Sequence, residues 1–269
     1  MINHVLRSFW RRIITLVMFP FVKITVKGIE NLPEEGTMPL VLVANHFSYL
    51  DPLILMSRIP RRARFLAAIE MTRIFFFSHI LKVFEGIPVW RGKVDRTAMR
   101  TSIKHLEDGG ILGIFPEGGI IPELQEKVAR GEKIVDVPNS KSRLPAVLGN
   151  ARPGTAYIAA QANAYMLPVA MIGTQNIEAN IKRFPWKRTH VTIVIGKPYG
   201  PIKVDPALKG RAKRKQLEEY SDLMMSEIAE LMPVENRGRY VAGVRPNSNP
   251  FVTAFRNRKR GYASMNKAV

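Results

Sequence analysis

The residues best suited to chemistry are His46 and Asp51, in the segment Asn45-His46-Phe47-Ser48-Tyr49-Leu50-Asp51. An imidazole can take a proton from a hydroxyl near neutral pH. A carboxylate bonded to its second nitrogen fixes the tautomer and supports the charged ring. Spacing restricts how the two can meet. Five residues along one continuous helix turn through ~500° and point the side chains to different faces. The pair closes only if His46 lies in a loop and Asp51 in the first turn of the helix that follows. Structural roles compete for the same residues. Ser48 to Asp51 fits a capping box, Asp51-Pro52 fits an N-cap followed by proline, and a histidine near a strand end is usually structural.

What such a base could activate is narrowed by composition. The sequence has no cysteine and no Gly-x-Ser-x-Gly turn, so a thiol or elbow-serine intermediate has no candidate nucleophile. A His–Asp pair of this kind suits direct deprotonation of a substrate hydroxyl, which then attacks an activated ester. The absence of cysteine also removes disulfides and zinc–thiolate sites, and fits a reducing compartment.

The elements that must position the pair follow from periodicity. Pro39 to Ala44 is a short apolar run that reads as a buried strand, and His46 follows its end, where α/β folds place ligand-binding groups. Ser48 to Ile59 reads as a helix, Ala63 to Ala68 as a strand, Met71 to Phe84 as an aromatic helix, and Val89 as part of a short strand. Arg96 to Asp108 reads as a helix and Gly110 to Phe115 as a strand. Residues 119–150 are mixed in charge and interrupted by Pro122, Gly131 and Pro138, which predicts a long loop. A helix over Ala156 to Ala164, strands over Leu167 to Ile172 and Val191 to Ile195, and a helix over Lys213 to Leu231 complete the pattern. This alternation predicts a single α/β domain over residues 22–233, its central sheet flanked by helices. With 269 residues and 46% hydrophobic content, the chain can bury one sizeable core.

Charge points to the partners. The formal net charge of +19 attracts polyanions, either nucleic acid or an anionic membrane face. Zinc-ligand spacing, an RNA-recognition aromatic block and a clear helix-turn-helix are all missing, so no specific nucleic acid is expected. At the amino terminus Val5, Leu6, Phe9, Trp10, Ile13, Ile14 and Val17 recur with a helical period, while Arg7, Ser8, Arg11 and Arg12 fall on the other side. Residues 1–21 therefore read as an amphipathic membrane-interface helix, or as a helix that merely packs on the domain. The apolar stretch from Ile13 to Val22 is too short to span a bilayer, which needs ~20 such residues. Residues 234–269 carry eight lysines and arginines against Glu235 and read as a flexible basic tail.

At this point a resemblance becomes specific. Asn45-His46-x4-Asp51 resembles the first signature block of the lysophosphatidic-acid acyltransferases, a family of glycerolipid acyltransferases. Gly86-Ile87-Pro88-Val89-Trp90-Arg91 resembles the second block, Phe115-Pro116-Glu117-Gly118 the third, and Leu167-Pro168-Val169 the fourth. The likeness runs from about Val22 to Pro233. It implies a mixed sheet and a reaction that moves an acyl chain from acyl-CoA or acyl carrier protein to a lysophospholipid hydroxyl, giving phosphatidic acid from 1-acylglycerol 3-phosphate. His46 would be the base and Asp51 its orienting partner. Arg91 would hold the acceptor phosphate, with Glu117, Gly118, Asn45 and Arg152 completing the binding site. No metal or cofactor is implied, and the enzyme would work on the cytoplasmic face of a membrane. Gly119 and Ile120 stand where the family carries a hydroxyl residue and an arginine, which bears on the acceptor. Glycerol 3-phosphate, another lysophospholipid or a glycolipid are the alternatives, and a non-enzymatic membrane or nucleic-acid binder is the remote one.

Overall fold

The five apolar residues Leu40–Ala44 form the central strand of the molecule, and all five are buried. The computed structural model describes residues 2–34, 36–90, 94–119, 142–143, 145–183 and 187–240, with side chains from Val5 onward. Its strands are β1 (Val22–Lys27), β2 (Leu40–Ala44), β3 (Ala63–Ala68), β4 (Ile87–Val89), β5 (Ile111–Ile114), β6 (Tyr165–Ile172) and β7 (Thr189–Ile195). They form one seven-stranded sheet in the order β1-β7-β6-β2-β5-β3-β4. Strand β2 pairs in parallel with β5 and β6, and β3 pairs in parallel with β5 and β4. Only β6 and β7 run antiparallel, so β7 and its parallel neighbour β1 are reversed. The carboxyl ends of β2, β3, β4, β5 and β6 therefore share one edge of the sheet, where α/β sites form.

Helices cover both faces. Their ranges are α1 (Ile2–Met18), α2 (Asp51–Arg58), α3 (Phe75–Val83), α4 (Arg96–Glu107), α5 (Gly154–Gln161), α6 (Ile177–Arg183) and α7 (Gly210–Glu230). On one face Ile14 and Met18 of α1, Ile54 of α2, Ile80 of α3 and Ile177 of α6 close over the sheet. On the other lie Leu106 of α4, Ala156 of α5 and Met224 of α7. The single α/β domain with a mixed sheet is as expected, and the boundaries moved for local reasons. The helix expected from Ser48 begins at Asp51, because Ser48 to Leu50 form a turn closed by Asp51 N–H donating to the Ser48 carbonyl at 3.0 Å. The aromatic helix expected from Met71 is split at Ile74, whose extended backbone separates a 3₁₀ turn from α3.

Helix α1 divides each class of residue between inside and outside. Ile14 and Met18 are buried and Arg12 is exposed, as an amphipathic helix requires, but other positions are turned the opposite way. Arg7 is 6% exposed and ion-paired to Glu85, and Arg11 is turned into the domain as well. Val5, Phe9, Leu16, Val17 and Phe19 face outward, each more than half exposed. Helical period alone fixes two faces but not which one meets the protein. Here Glu85 and the carbonyls of Met56, Ile59 and Arg61 supply polar partners that draw the arginines inward. The tail boundary also shifts. Residues 234–240 form two 3₁₀ turns, Leu148 N–H donates to the Asn236 carbonyl, and Tyr240 is buried. Residues 241–269 and 120–141 lie outside the described residues, so the rest of the tail and most of the long loop fall there.

Candidate active site

Strand β2 delivers His46 to the carboxyl edge, and the turn after it brings Asp51 back beneath the ring. His46 Nδ1 lies 2.9 Å from Asp51 Oδ2. The same oxygen accepts from the Phe47 and Ser48 N–H groups, both at 2.8 Å. Asp51 is fully buried, while the His46 side chain remains 15% exposed. A carboxylate can only accept, so Nδ1 carries the ring proton and Nε2 presents its lone pair. Asp51 is not the N-cap, since Leu50 stands there and Asp51 opens the helix, but its carboxylate does reach back to Ser48 as in half of a capping box. Reaching back to main-chain N–H groups ahead of its helix, it ties the turn and orients the imidazole with one oxygen.

The plane of the ring is set from the side. Phe115, just past the end of β5, stacks on His46 with centroids 4.2 Å apart and 23° between planes. Phe65 of β3 backs Phe115 at 6.2 Å. Gly113 makes this stack possible, since a Cβ there would sit 2.3 Å from the Phe65 ring. Three neighbouring strands, β2, β5 and β3, thereby fix one imidazole.

Glu117 has a different task from the expected one. It is 1% exposed and uses both oxygens internally. Oε1 accepts from the His46 main-chain N–H at 2.9 Å, and Oε2 accepts from Gly149 N–H at 2.8 Å and from the Arg143 guanidinium. Burial pushes this carboxyl above its ordinary range; the charge of Arg143 and the two N–H groups pull it part of the way back. Glu117 therefore holds the backbone of the histidine, with both oxygens engaged inside the protein. Its cation is Arg143, with Arg91 lying outside the described residues.

Arg143 is the residue that sequence reasoning missed. It is 2% exposed, donates to the Gly119 carbonyl at 2.9 Å and the Val147 carbonyl at 3.2 Å, and its N–H donates to the Phe47 carbonyl at 2.7 Å. The segment 119–150, read as a long loop, thus returns a buried cation to the site. A usable signal was present: a glutamate at the end of a fully apolar strand needs a buried counter-charge.

Asn45 also differs from its expected role. Its amide donates to the Met171 carbonyl at 2.8 Å and accepts from the Met171 N–H at 2.7 Å. Both groups extend the β2–β6 ladder, so Asn45 braces the sheet beside the histidine. Gly118 has φ +75, and a Cβ there would lie 2.6 Å from Arg152 Nε. Only a glycine allows both that backbone and that approach. Arg152 therefore packs across the Glu117–Gly118 turn, with its N–H donating to the Pro116 carbonyl at 2.9 Å.

Among the described residues, no group of three or more histidine, aspartate or glutamate side chains could hold a metal ion, and no helix is long and apolar enough to cross a membrane. Comparison with known proteins gives a consistent picture. A 1-acyl-sn-glycerol-3-phosphate acyltransferase of Chlamydomonas reinhardtii is 24% identical over 239 residues, covering 87% of this chain and 63% of that protein. The chloroplastic enzyme of that name from Arabidopsis thaliana is 25% identical over 207 residues, covering 76% of this chain and 50% of that one. The chain thus spans between half and two-thirds of these relatives. The crystal structure of the 1-acyl-sn-glycerophosphate acyltransferase PlsC from Thermotoga maritima has the same fold, with a TM-score of 0.50 and 22% identity over 81% of this chain and 76% of that one. The sequence profile described as Acyltransferase matches residues 23–172, a span that holds His46, Asp51, Glu117 and Arg152. The chain belongs to the acyltransferase family.

Proposed function

We propose that this protein transfers an acyl chain from a thioester, acyl-CoA or acyl carrier protein, to the free hydroxyl of 1-acylglycerol 3-phosphate. The observation that carries the mechanism is the buried Asp51 carboxylate 2.9 Å from His46 Nδ1. That contact leaves Nε2 to accept the hydroxyl proton as the oxygen attacks the thioester carbonyl. The C–S bond then breaks, and the departing thiolate takes the proton back from the imidazolium. Ester and thiol are the products. Conversion of a thioester to an oxygen ester is downhill, so the reaction needs no metal or redox cofactor. Arg91 and Arg152 are assigned to the acceptor phosphate, because a guanidinium binds phosphate through paired hydrogen bonds.

The acceptor comes from a membrane, at its cytoplasmic face, and the acyl donor is the soluble thioester. Support for a peripheral association lies in the exposed apolar side chains. Val5, Phe9, Leu16, Val17 and Phe19 project from α1. Ile74, Phe75 and Phe76 follow the carboxyl end of β3, and Trp90 and Val94 follow that of β4, on the same edge as His46.

The test offers labelled acyl-CoA and acyl carrier protein to the purified chain, with a panel of lysophospholipids, glycerol 3-phosphate and a glycolipid. Acylation of 1-acylglycerol 3-phosphate above the other acceptors is expected, and His46→Ala should lower turnover by about a hundredfold to ten-thousandfold. A His46→Ala variant as fast as the parent defeats the mechanism, and preference for another acceptor defeats the substrate.

A further inference from the structure

Between α1 and the last turn of α2 runs an open groove of about 350 Å³ that the acyl-transfer chemistry does not use. Arg11, Arg12, Thr15 and Leu16 line it from α1, Phe19 from the turn just after that helix, and Ser57 from α2. Its character is graded along the helix. Two guanidinium groups and the Thr15 hydroxyl stand towards one end, and Leu16 and Phe19, 69% and 60% exposed, stand at the other. Arg11 is pinned by the carbonyls of Met56 and Arg61 at 3.1 and 2.8 Å, so its charge is fixed at the groove wall. Arg12 is exposed on the same face.

We propose that this groove seats the phosphate of an anionic phospholipid, with the acyl chains of that lipid running over Leu16 and Phe19. The inference rests on the reading that α1 lies at a membrane surface, and it adds a discrete headgroup site to that reading. Arg12 can pair with phosphate oxygens through parallel N–H donors, Arg11, whose Nε and Nη2 donate to the carbonyls at the end of α2, adds its charge, and Thr15 offers a hydroxyl. A soluble phosphate would satisfy the basic end and leave Leu16 and Phe19 in water. A lipid satisfies both ends, as interfacial helices do with arginine beside bulky apolar residues.

The experiment measures sedimentation of the full chain with vesicles of phosphatidylcholine, with or without phosphatidylglycerol. The parent should prefer the anionic vesicles. Arg12→Gln should cut that preference about fivefold, the effect of one basic residue at an anionic surface, with binding to pure phosphatidylcholine unchanged. Arg211→Gln, an exposed change on α7 across the sheet, should leave the preference intact. An intact preference in Arg12→Gln, or equal losses in both variants, overturns the site in favour of diffuse charge. Inorganic phosphate at matched ionic strength should not displace the protein from anionic vesicles more than chloride does; if it does, the lipid assignment fails. Failure of the parent to bind any vesicle would instead overturn the membrane reading itself.

Discussion

Asp51 Oδ2 accepts from His46 Nδ1 and from two main-chain N–H groups, which makes the carboxylate beside His46 and the turn that presents it one hydrogen-bonded unit. Glu117 and Arg143 form a second such unit on the other side of His46, and theirs is the more exposed to damage by mutation. Arg143→Ala leaves a buried carboxylate without its cation, a change that costs about 3–5 kcal/mol. Urea unfolding should show that loss, and Arg143→Lys should recover only part of it, since lysine cannot reach Glu117 and the Gly119 carbonyl with one planar fork. An unchanged midpoint in Arg143→Ala would remove Arg143 from the support of the site. His46 and Asp51 were legible from residue type and spacing because their partner is local. Arg143 was not, because its partner is 26 positions away and its own neighbourhood is polar and irregular.

At the scale of elements, the sheet was legible and the seating of α1 was not. Apolar runs such as Leu40–Ala44 can only be buried strands here, whereas an amphipathic helix has two faces that each find a solvent. The choice was made by Glu85, which bonds Arg62 and Arg64 and pairs with Arg7 of α1. Burial alone would raise the Glu85 carboxyl, but the bonds and charges of Arg64, Arg7 and Arg62 outweigh it and hold the group below its ordinary value. A lowered folded value means the stabilisation is present above the unfolded value, about 4.3, and lost as pH falls through the folded one. Protection of the α1 amides relative to their intrinsic exchange rates should therefore fall in acid in the parent. In Glu85→Gln that protection should already be low at neutral pH and fall less on acidification. Equal acid profiles for the two proteins would exclude Glu85 as the clasp.

For the whole molecule, the two faces of the sheet divide the labour. Helices α4, α5 and α7 close one core, and α1, α2 and α3 close the other beneath an apolar exterior. Removing residues 1–21 would confuse two effects, since Ile14 and Met18 are core while Val5 and Phe9 are not. The double variant Val5→Ser, Phe9→Ser separates them. Each exposed apolar side chain of this size can contribute about 1.5–3 kcal/mol on burial. Vesicle partitioning should therefore fall at least tenfold while the thermal midpoint stays put. Unchanged partitioning would discard α1 as the docking helix.

Arg11 donates to carbonyls at and just past the end of α2, and Asp51 is the first residue of the same helix. Helix α2 is thus a strut about 12 Å long, gripped at one end by α1 and carrying the carboxylate that meets His46 at the other. In the proposed membrane-bound state this strut would act as a depth gauge, the height at which α1 sits setting how far His46 stands above the lipid plane.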